Sequence, residues 1–307
     1  MLVLGLATSH APAVLLPVEA WPAAHKLMTA NVAQSSDVEA ETPDVLRTAR
    51  ERIDSSAAAL RSALEAARPD VLIIVGDDQN EVFGPPINPN LAVYCGDKVT
   101  GNTLLRFQEH GYDETVTLDC HPEMAHALAD GLVERGFDPA VMTELRPLSK
   151  PEGIGHAFTR PAQMLQLSGS GVPIVQVFLN SYHEPLPSAQ RCFALGQAIR
   201  EIADSRPERI AVLGSGGLSH DPGGPRAGWI DEPLDRWVLD RLSQGRGEEL
   251  TNLFTFKTDT LHGGSGEIRS WVVVAGAMPE VRAEIVDYIP LRHSITGLGF
   301  ATWNPTV

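Results

Sequence analysis

The chain has 307 residues, 43% of them hydrophobic, which is enough for a substantial buried core and excludes a disordered or fibrous class. Thirty-nine acidic residues against 24 basic ones give a formal charge of -15, a field that repels a phosphate backbone or an anionic membrane. Neither nucleic acid nor a membrane is an expected partner. Cys95, Cys120 and Cys192 are odd in number and widely spaced, fitting neither a disulfide framework nor a paired-cysteine zinc site; they point to a reducing, cytoplasmic compartment.

In chain order, the first apolar run, Leu2 to Ala7, reads as a buried strand. The opening sixteen residues have no basic stretch, contain Ser9 and His10 and run into prolines, so they read as strand and loop rather than as a signal peptide. Ile53, Ala57, Leu60 and Leu64 fall on one helical stripe, and a second strand follows over Val71 to Val75. After the turn-rich Gly84 to Asn90, Pro122 suits the first turn of a helix that carries Met124, Leu128 and Leu132 and that Gly136 closes. A loop over Arg146 to Gly155 leads to a strand within Val172 to Leu179, a helix capped by Ser188 and reaching Ile202, and a strand at Ile210 to Leu213. The Asp221 to Gly228 loop precedes a last helix, with Ser265 as expected cap and Ile268, Trp271, Val272 and Ala275 on one face. Alternating strands and helices predict one α/β domain over 1–307, with a mostly parallel or mixed central sheet covered by helices on both faces. No apolar run approaches the ~20 residues of a spanning helix.

In such sheets, the loops after the strands build the site. The polar residues there are Thr8-Ser9-His10, Gly76-Asp77-Asp78-Gln79-Asn80-Glu81, Asn180-Ser181-Tyr182-His183 and Gly214-Ser215 through His220. A divalent metal centre with open positions needs about three protein ligands on one face, from imidazole and carboxylate groups. His10 offers the first and Glu267 the second, although a glutamate at a helix start also simply suits the macrodipole. His25, His110 and His293 read as solvated, whereas His121, His126, His183 and His262 carry only weak signals.

Four segments in the same order, SHAP at Ser9, RCFALG at Arg191 to Gly196, GSGGLSHDPGGPRAG at Gly214 to Gly228 and GSGEIRSW at Gly264 to Trp271, resemble the catalytic β-type subunits of class III extradiol ring-cleavage dioxygenases. The likeness is to the protocatechuate 4,5-dioxygenase, gallate and 3-O-methylgallate group. It implies an Fe(II) cofactor, with His10 and Glu267 as ligands and His220 as the acid/base histidine. His156 matches a further pocket histidine. The family's second histidine ligand falls on Gln79, a poorer donor than imidazole, and Glu81 two residues on could substitute for it. Arg160 and Arg226 are candidate clamps for a substrate carboxylate, with surface ion pairing as the alternative for each. The implied partners are oxygen and a small aromatic diol or triol acid, in a homodimer or with a small helical α-type subunit. Gln79 also leaves open a non-catalytic, aromatic-acid-binding or partner subunit, and the scaffold could host another divalent metal and hydrolytic chemistry.

Overall fold

The computed structural model describes residues 1–104, 107, 111, 112, 114–145, 153–256 and 258–305. Part of the expected loop over Arg146 to Gly155, and His110, lie outside them. The main sheet has eight strands: β1 (Leu2–Thr8), β2 (Val71–Gly76), β3 (Leu91–Tyr94), β6 (Ala140–Met142), β7 (Ile174–Leu179), β8 (Ile210–Ser215), β9 (Glu284–Leu291) and β10 (Thr296–Trp303). Their spatial order is β6-β3-β7-β2-β8-β1-β10-β9. β4 (Lys98–Asn102) and β5 (Thr115–Asp119) form a separate hairpin.

The four central strands β7, β2, β8 and β1 run parallel, while β3 joins β7, and β10 joins β1, antiparallel. The sheet is therefore mixed, within the predicted range. The four expected strands form the parallel centre because each is apolar on both faces: β2, β7 and β8 are buried at every position. The outer strands escape a search for continuous apolar runs. β9 is mostly partly exposed and contains Pro290, and β10 is interrupted by Gly297 and Gly299.

Helices cover both faces. One face packs α3 (Pro122–Glu134), α5 (Ala189–Asp204), α6 (Glu232–Ser243) and α7 (Ile268–Ala277) over sheet residues such as Ile73, Val177 and Val212. The other packs α1 (Trp21–Met28), α2 (Pro43–Ala67), α4 (His156–Met164) and the hairpin over Leu4, Ile74 and Leu213. The Pro122 start and the Ser188 cap take their expected places, the Ser188 side chain accepting from the Arg191 amide. Ser265 does not cap α7. It lies inside a 3-10 turn, Gly263–Glu267, and its hydroxyl instead bonds the backbone of His220. Among the described residues no helix is long and apolar enough to cross a membrane.

Gln176 is an exception in this core. It is fully buried on β7, on the face shared with Ile174 and Phe178, and neither amide atom has a hydrogen-bond partner among the described residues. A buried amide without a partner costs about 1–3 kcal/mol. Gln176→Met, which keeps the length and removes both polar atoms, is expected to raise unfolding stability by about 1–2 kcal/mol in a denaturant titration. A less stable variant would show that the amide is held.

Candidate active site

The carboxyl ends of β1, β2, β7 and β8 open on one edge of the sheet, and the strand register fixes what stands there. Thr8 on β1 pairs with Ser215 on β8, and Val75 on β2 pairs with Gly214. Two residues past β1 comes His10; directly past β2 comes Asp77. Glu267 reaches the same point from the start of α7. The approach is close enough that a Cβ on Gly216 would lie 2.8 Å from Glu267, and Gly216 adopts φ 129, a backbone conformation open to glycine. Through this approach the Gly217 amide donates to Glu267 Oε2 at 2.7 Å, and the Trp271 indole donates to the Gly216 carbonyl at 2.8 Å.

One ligand-type atom from each of His10, Asp77 and Glu267 lies within 4.8 Å of the others, and all three residues are buried. His10 Nε2 stands 3.4 Å from Glu267 Oε2 and 3.8 Å from Asp77 Oδ1. Neither His10 Nε2 nor either oxygen of Asp77 has a hydrogen-bond partner among the described residues. The His10 tautomer follows from its other nitrogen. Ser215 donates its hydroxyl to the Ala157 carbonyl at 2.5 Å, so toward His10 Nδ1, 2.9 Å away, it accepts. The proton is thus on Nδ1 and the Nε2 lone pair faces the carboxylates. Burial pushes the His10 imidazole down to about 3 against the pull of Glu267, which keeps the ring in its neutral form.

The carboxylates are shifted in opposite directions. Burial, then the charges of Glu267, Glu81 and Asp78, push Asp77 well above the usual carboxylate range. Burial also opposes ionisation of Glu267, but the His220 imidazole beside it prevails and holds it low. Buried, unpartnered donor atoms aimed at one point make a candidate cation site, and a cation there would offset the desolvation and mutual repulsion of both acids. A neutral imidazole with two carboxylates suits a divalent first-row metal rather than a thiophilic one.

Gln79 stands at the wall of this cluster. Its side-chain nitrogen donates to Tyr182 Oη at 2.8 Å and to Glu267 Oε1 at 3.1 Å, and Tyr182 Oη donates to the same oxygen at 2.5 Å. With the amide reversed, its oxygen would oppose the Glu267 carboxylate, so the hydrogen-bond pattern fixes the nitrogen inward. Gln79 thus turns its side-chain nitrogen to Glu267, and Asp77 is the residue of this loop that faces His10. Glu81 turns elsewhere: it pairs with His156 Nδ1, and its other oxygen accepts from the Gln79 backbone N–H at 2.7 Å. Burial opposes ionisation of Glu81, but His156 outweighs it and brings the carboxyl down to about 2.

A small cavity of about 40 Å³ opens beside the cluster. His10, Gln79, His156, Arg160 and His220 line one part, and Ala11, Pro12, Met28, Pro222 and Ile295 form an apolar wall. His156 meets His10 edge to face, with centroids 4.8 Å apart. His220 donates Nδ1–H to the Leu218 carbonyl at 2.9 Å, leaving Nε2 toward Glu267 Oε1 at 3.4 Å. Burial lowers its pKa, but Glu267 and the Leu218 carbonyl raise it above the ordinary histidine value overall.

The two arginines separate. Arg160 is 4% exposed and no surface residue; its guanidinium donates to the carbonyls of Thr103 at 2.7 Å and of His10 at 2.9 Å. Arg226 is ion-paired with Asp259 and lines a neighbouring cavity that His220 also lines. His25 and His293 are not solvated as their sequence context implies: His25 is 8% exposed and bonds Gln34, and His293 Nδ1 pairs with Glu41. His121 caps α3, His183 bonds Asn80, His262 lines the neighbouring cavity and His126 is exposed.

A mixed α/β sheet with a buried imidazole–carboxylate cluster at its parallel strand ends defines the class of α/β proteins with a candidate metal site. Comparison with known proteins narrows it. Residues 4–299 match the family model described as the catalytic LigB subunit of aromatic ring-opening dioxygenase. A relative from Pseudomonas putida, named 2,3-dihydroxyphenylpropionate/2,3-dihydroxicinnamic acid 1,2-dioxygenase 1, is 30% identical over 295 residues, 80% of this chain and 89% of its own length. A Rhodococcus protein named 2,3-dihydroxyphenylpropionate/2,3-dihydroxicinnamic acid 1,2-dioxygenase is 31% identical over 179 residues, 58% of this chain and 51% of its own. An uncharacterized Escherichia coli K12 protein of known crystal structure shares the fold, with a TM-score of 0.53 at 15% identity, over 97% of this chain and 99% of that one. The chain belongs to the LigB family, the catalytic subunits of class III extradiol dioxygenases, and is a ring-cleaving oxidoreductase.

Proposed function

We propose that this enzyme uses iron(II) and oxygen to open the ring of a catechol- or gallate-type aromatic acid beside its vicinal hydroxyls. The carrying observation is the meeting of His10, Asp77 and Glu267, with their donor atoms turned inward, next to a cavity that His220 and His156 also line. In this reading His10 Nε2, Asp77 and Glu267 are the ligands. Bound iron(II) would lower the pKa of both substrate hydroxyls and bring oxygen and ring to one centre. His220 Nε2 takes the proton released from a hydroxyl and later returns it as an acid. His156, oriented by Glu81, provides a second imidazole on the cavity wall. Arg160 supports the His10 backbone and, as a buried cation in that wall, is the contact for the substrate carboxylate. Arg226, engaged with Asp259 beyond His220, is not given that role. The apolar wall holds the ring and keeps water from the reacting atoms.

The dihydroxyphenyl acids named for the relatives belong to the same substrate class, so they stand beside protocatechuate, gallate and 3-O-methylgallate in the test. Protein purified without oxygen is expected to carry about one iron per chain and to consume oxygen with at least one of these acids. Aromatic-acid binding without stoichiometric metal would replace this reading with that of a non-catalytic binding subunit. The three unbridged cysteines support a reducing compartment, for which we propose the cytoplasm. The family resemblance implies a homodimer, with or without a small helical subunit, and sedimentation decides between them.

Ser215 supplies an independent check on the metal centre. Ser215→Ala leaves His10 Nδ1–H without its acceptor and lets the ring rotate or change tautomer. Metal affinity is expected to fall about 10–100-fold in a chelator competition. Unchanged affinity would remove His10 Nε2 from the ligand set.

A further inference from the structure

We propose that Asp235 is a positioning residue for His220, acting through the single peptide unit that joins Leu218 to Ser219. The proposal rests on the reading of His220 as the proton-transfer group. Asp235 lies in the first turn of α6, is fully buried and touches none of the proposed metal ligands by hydrogen bond. Its Oδ1 accepts the Ser219 amide N–H at 2.8 Å. The carbonyl of that same peptide, on Leu218, accepts His220 Nδ1–H at 2.9 Å. A planar peptide is thus gripped at both ends, by a carboxylate on its N–H and by the imidazole on its oxygen. Because the peptide is rigid, fixing its N–H fixes the direction of its C=O, and that direction sets which His220 nitrogen carries the proton and where Nε2 points. The carboxylate also polarises the peptide and makes its oxygen a better acceptor.

The surroundings hold Asp235 in this task. Its Oδ2 accepts from Ser219 Oγ at 2.8 Å and from Tyr288 Oη at 2.7 Å, and the Asp231 amide donates to Ser219 Oγ at 2.8 Å. Leu218 N donates to the Gly297 carbonyl at 2.9 Å, and Gly297 N donates to the Ser219 carbonyl at 3.1 Å. A Cβ on Gly297 would fall 2.0 Å from Asp235 Oδ2, so only glycine lets β10 close over the carboxylate.

The test uses the metal-loaded full-length protein. Asp235→Ala removes the acceptor and is expected to lower kcat at least about tenfold, with KM and metal affinity changed less than about threefold. Asp235→Asn keeps an oxygen for the Ser219 amide and is expected to restore kcat to within about threefold of the parent. Tyr288→Phe removes one of the contacts that hold the carboxylate without releasing the peptide, and is expected to lower Tm and to lower kcat less than Asp235→Ala does. An alanine variant with parental kcat, an asparagine variant no better than alanine, or an equal loss in Tyr288→Phe would each overturn the proposal. Should the alanine variant not fold, the side-chain ¹⁵N–¹H spectrum of the unmutated, zinc-loaded protein decides: His220 protonated on Nδ1 supports the grip, and protonation on Nε2 alone overturns it. That spectrum needs no turnover, so an unmutated protein that consumes no oxygen would defeat the functional reading while leaving the positioning question answerable.

Discussion

Asp77→Ala is expected to abolish stoichiometric metal binding, whereas Gln79→Ala is expected to weaken it only about 10–100-fold, the range typical of residues that orient a ligand. The contrast follows from what each side chain faces. Both Asp77 oxygens are buried and without hydrogen-bond partners among the described residues, while the Gln79 amide nitrogen is engaged by Tyr182 and Glu267. Asp77→Asn separates charge from shape: the amide keeps one donor oxygen but removes the negative charge that a divalent ion would balance, and affinity should fall between that of the parent and that of the alanine variant. Metal content after dialysis, with chelator competition for the weaker cases, reads all three. The reverse order, with Gln79→Ala metal-free and Asp77→Ala still loaded, would move the second ligand to the position where the family resemblance puts it. Equal and complete loss in both would make the two residues inseparable parts of one ligand set.

The same pair of residues marks how far sequence reaches. The buried parallel strands were legible because a strand covered on both faces is apolar at nearly every position, and the four apolar runs are β1, β2, β7 and β8. Their order in space fixes which loops meet, and His10, Glu267 and His220 therefore converge as the motif likeness implies. Side-chain direction at the end of β2 was not legible. Asp77 and Gln79 are two residues apart and both polar, and their roles separate only through Tyr182, which arrives from β7, and Glu267, which arrives from α7. The pairing of Glu81 with His156 depends likewise on the placement of α4 against the β2 loop. Arg160 read as a candidate clamp or surface ion pair, yet it is buried because its donors satisfy carbonyls of two loops that are distant in sequence. A buried strand announces itself in its own residues; a buried hydrogen-bond partner is defined by someone else's.

His220→Ala is expected to lower turnover about 10²–10⁴-fold while leaving metal affinity within about threefold of the parent. The magnitude is that of a general acid/base group, and the separation from metal binding follows from geometry. His220 is not one of the three residues whose donor atoms converge, and its Nδ1 is committed to the Leu218 carbonyl, so only Nε2 is available for proton transfer. That nitrogen lies 3.4 Å from Glu267 Oε1, which gives the ring a second effect: its removal takes the imidazole from beside a buried carboxylate. A bound divalent ion compensates Glu267 in its place, so the loss should fall on kcat rather than on loading. His220→Asn refines the test. The amide can still donate to the Leu218 carbonyl and fill much of the space, but it has no nitrogen that titrates, and its turnover should be as low as that of the alanine variant. Added imidazole, matching the side chain removed from the cavity wall, should recover part of the rate in the alanine variant and none in the asparagine variant. Parental turnover in both variants would transfer the proton-transfer role to His156, the other imidazole on that wall, whose orientation depends on Glu81 instead.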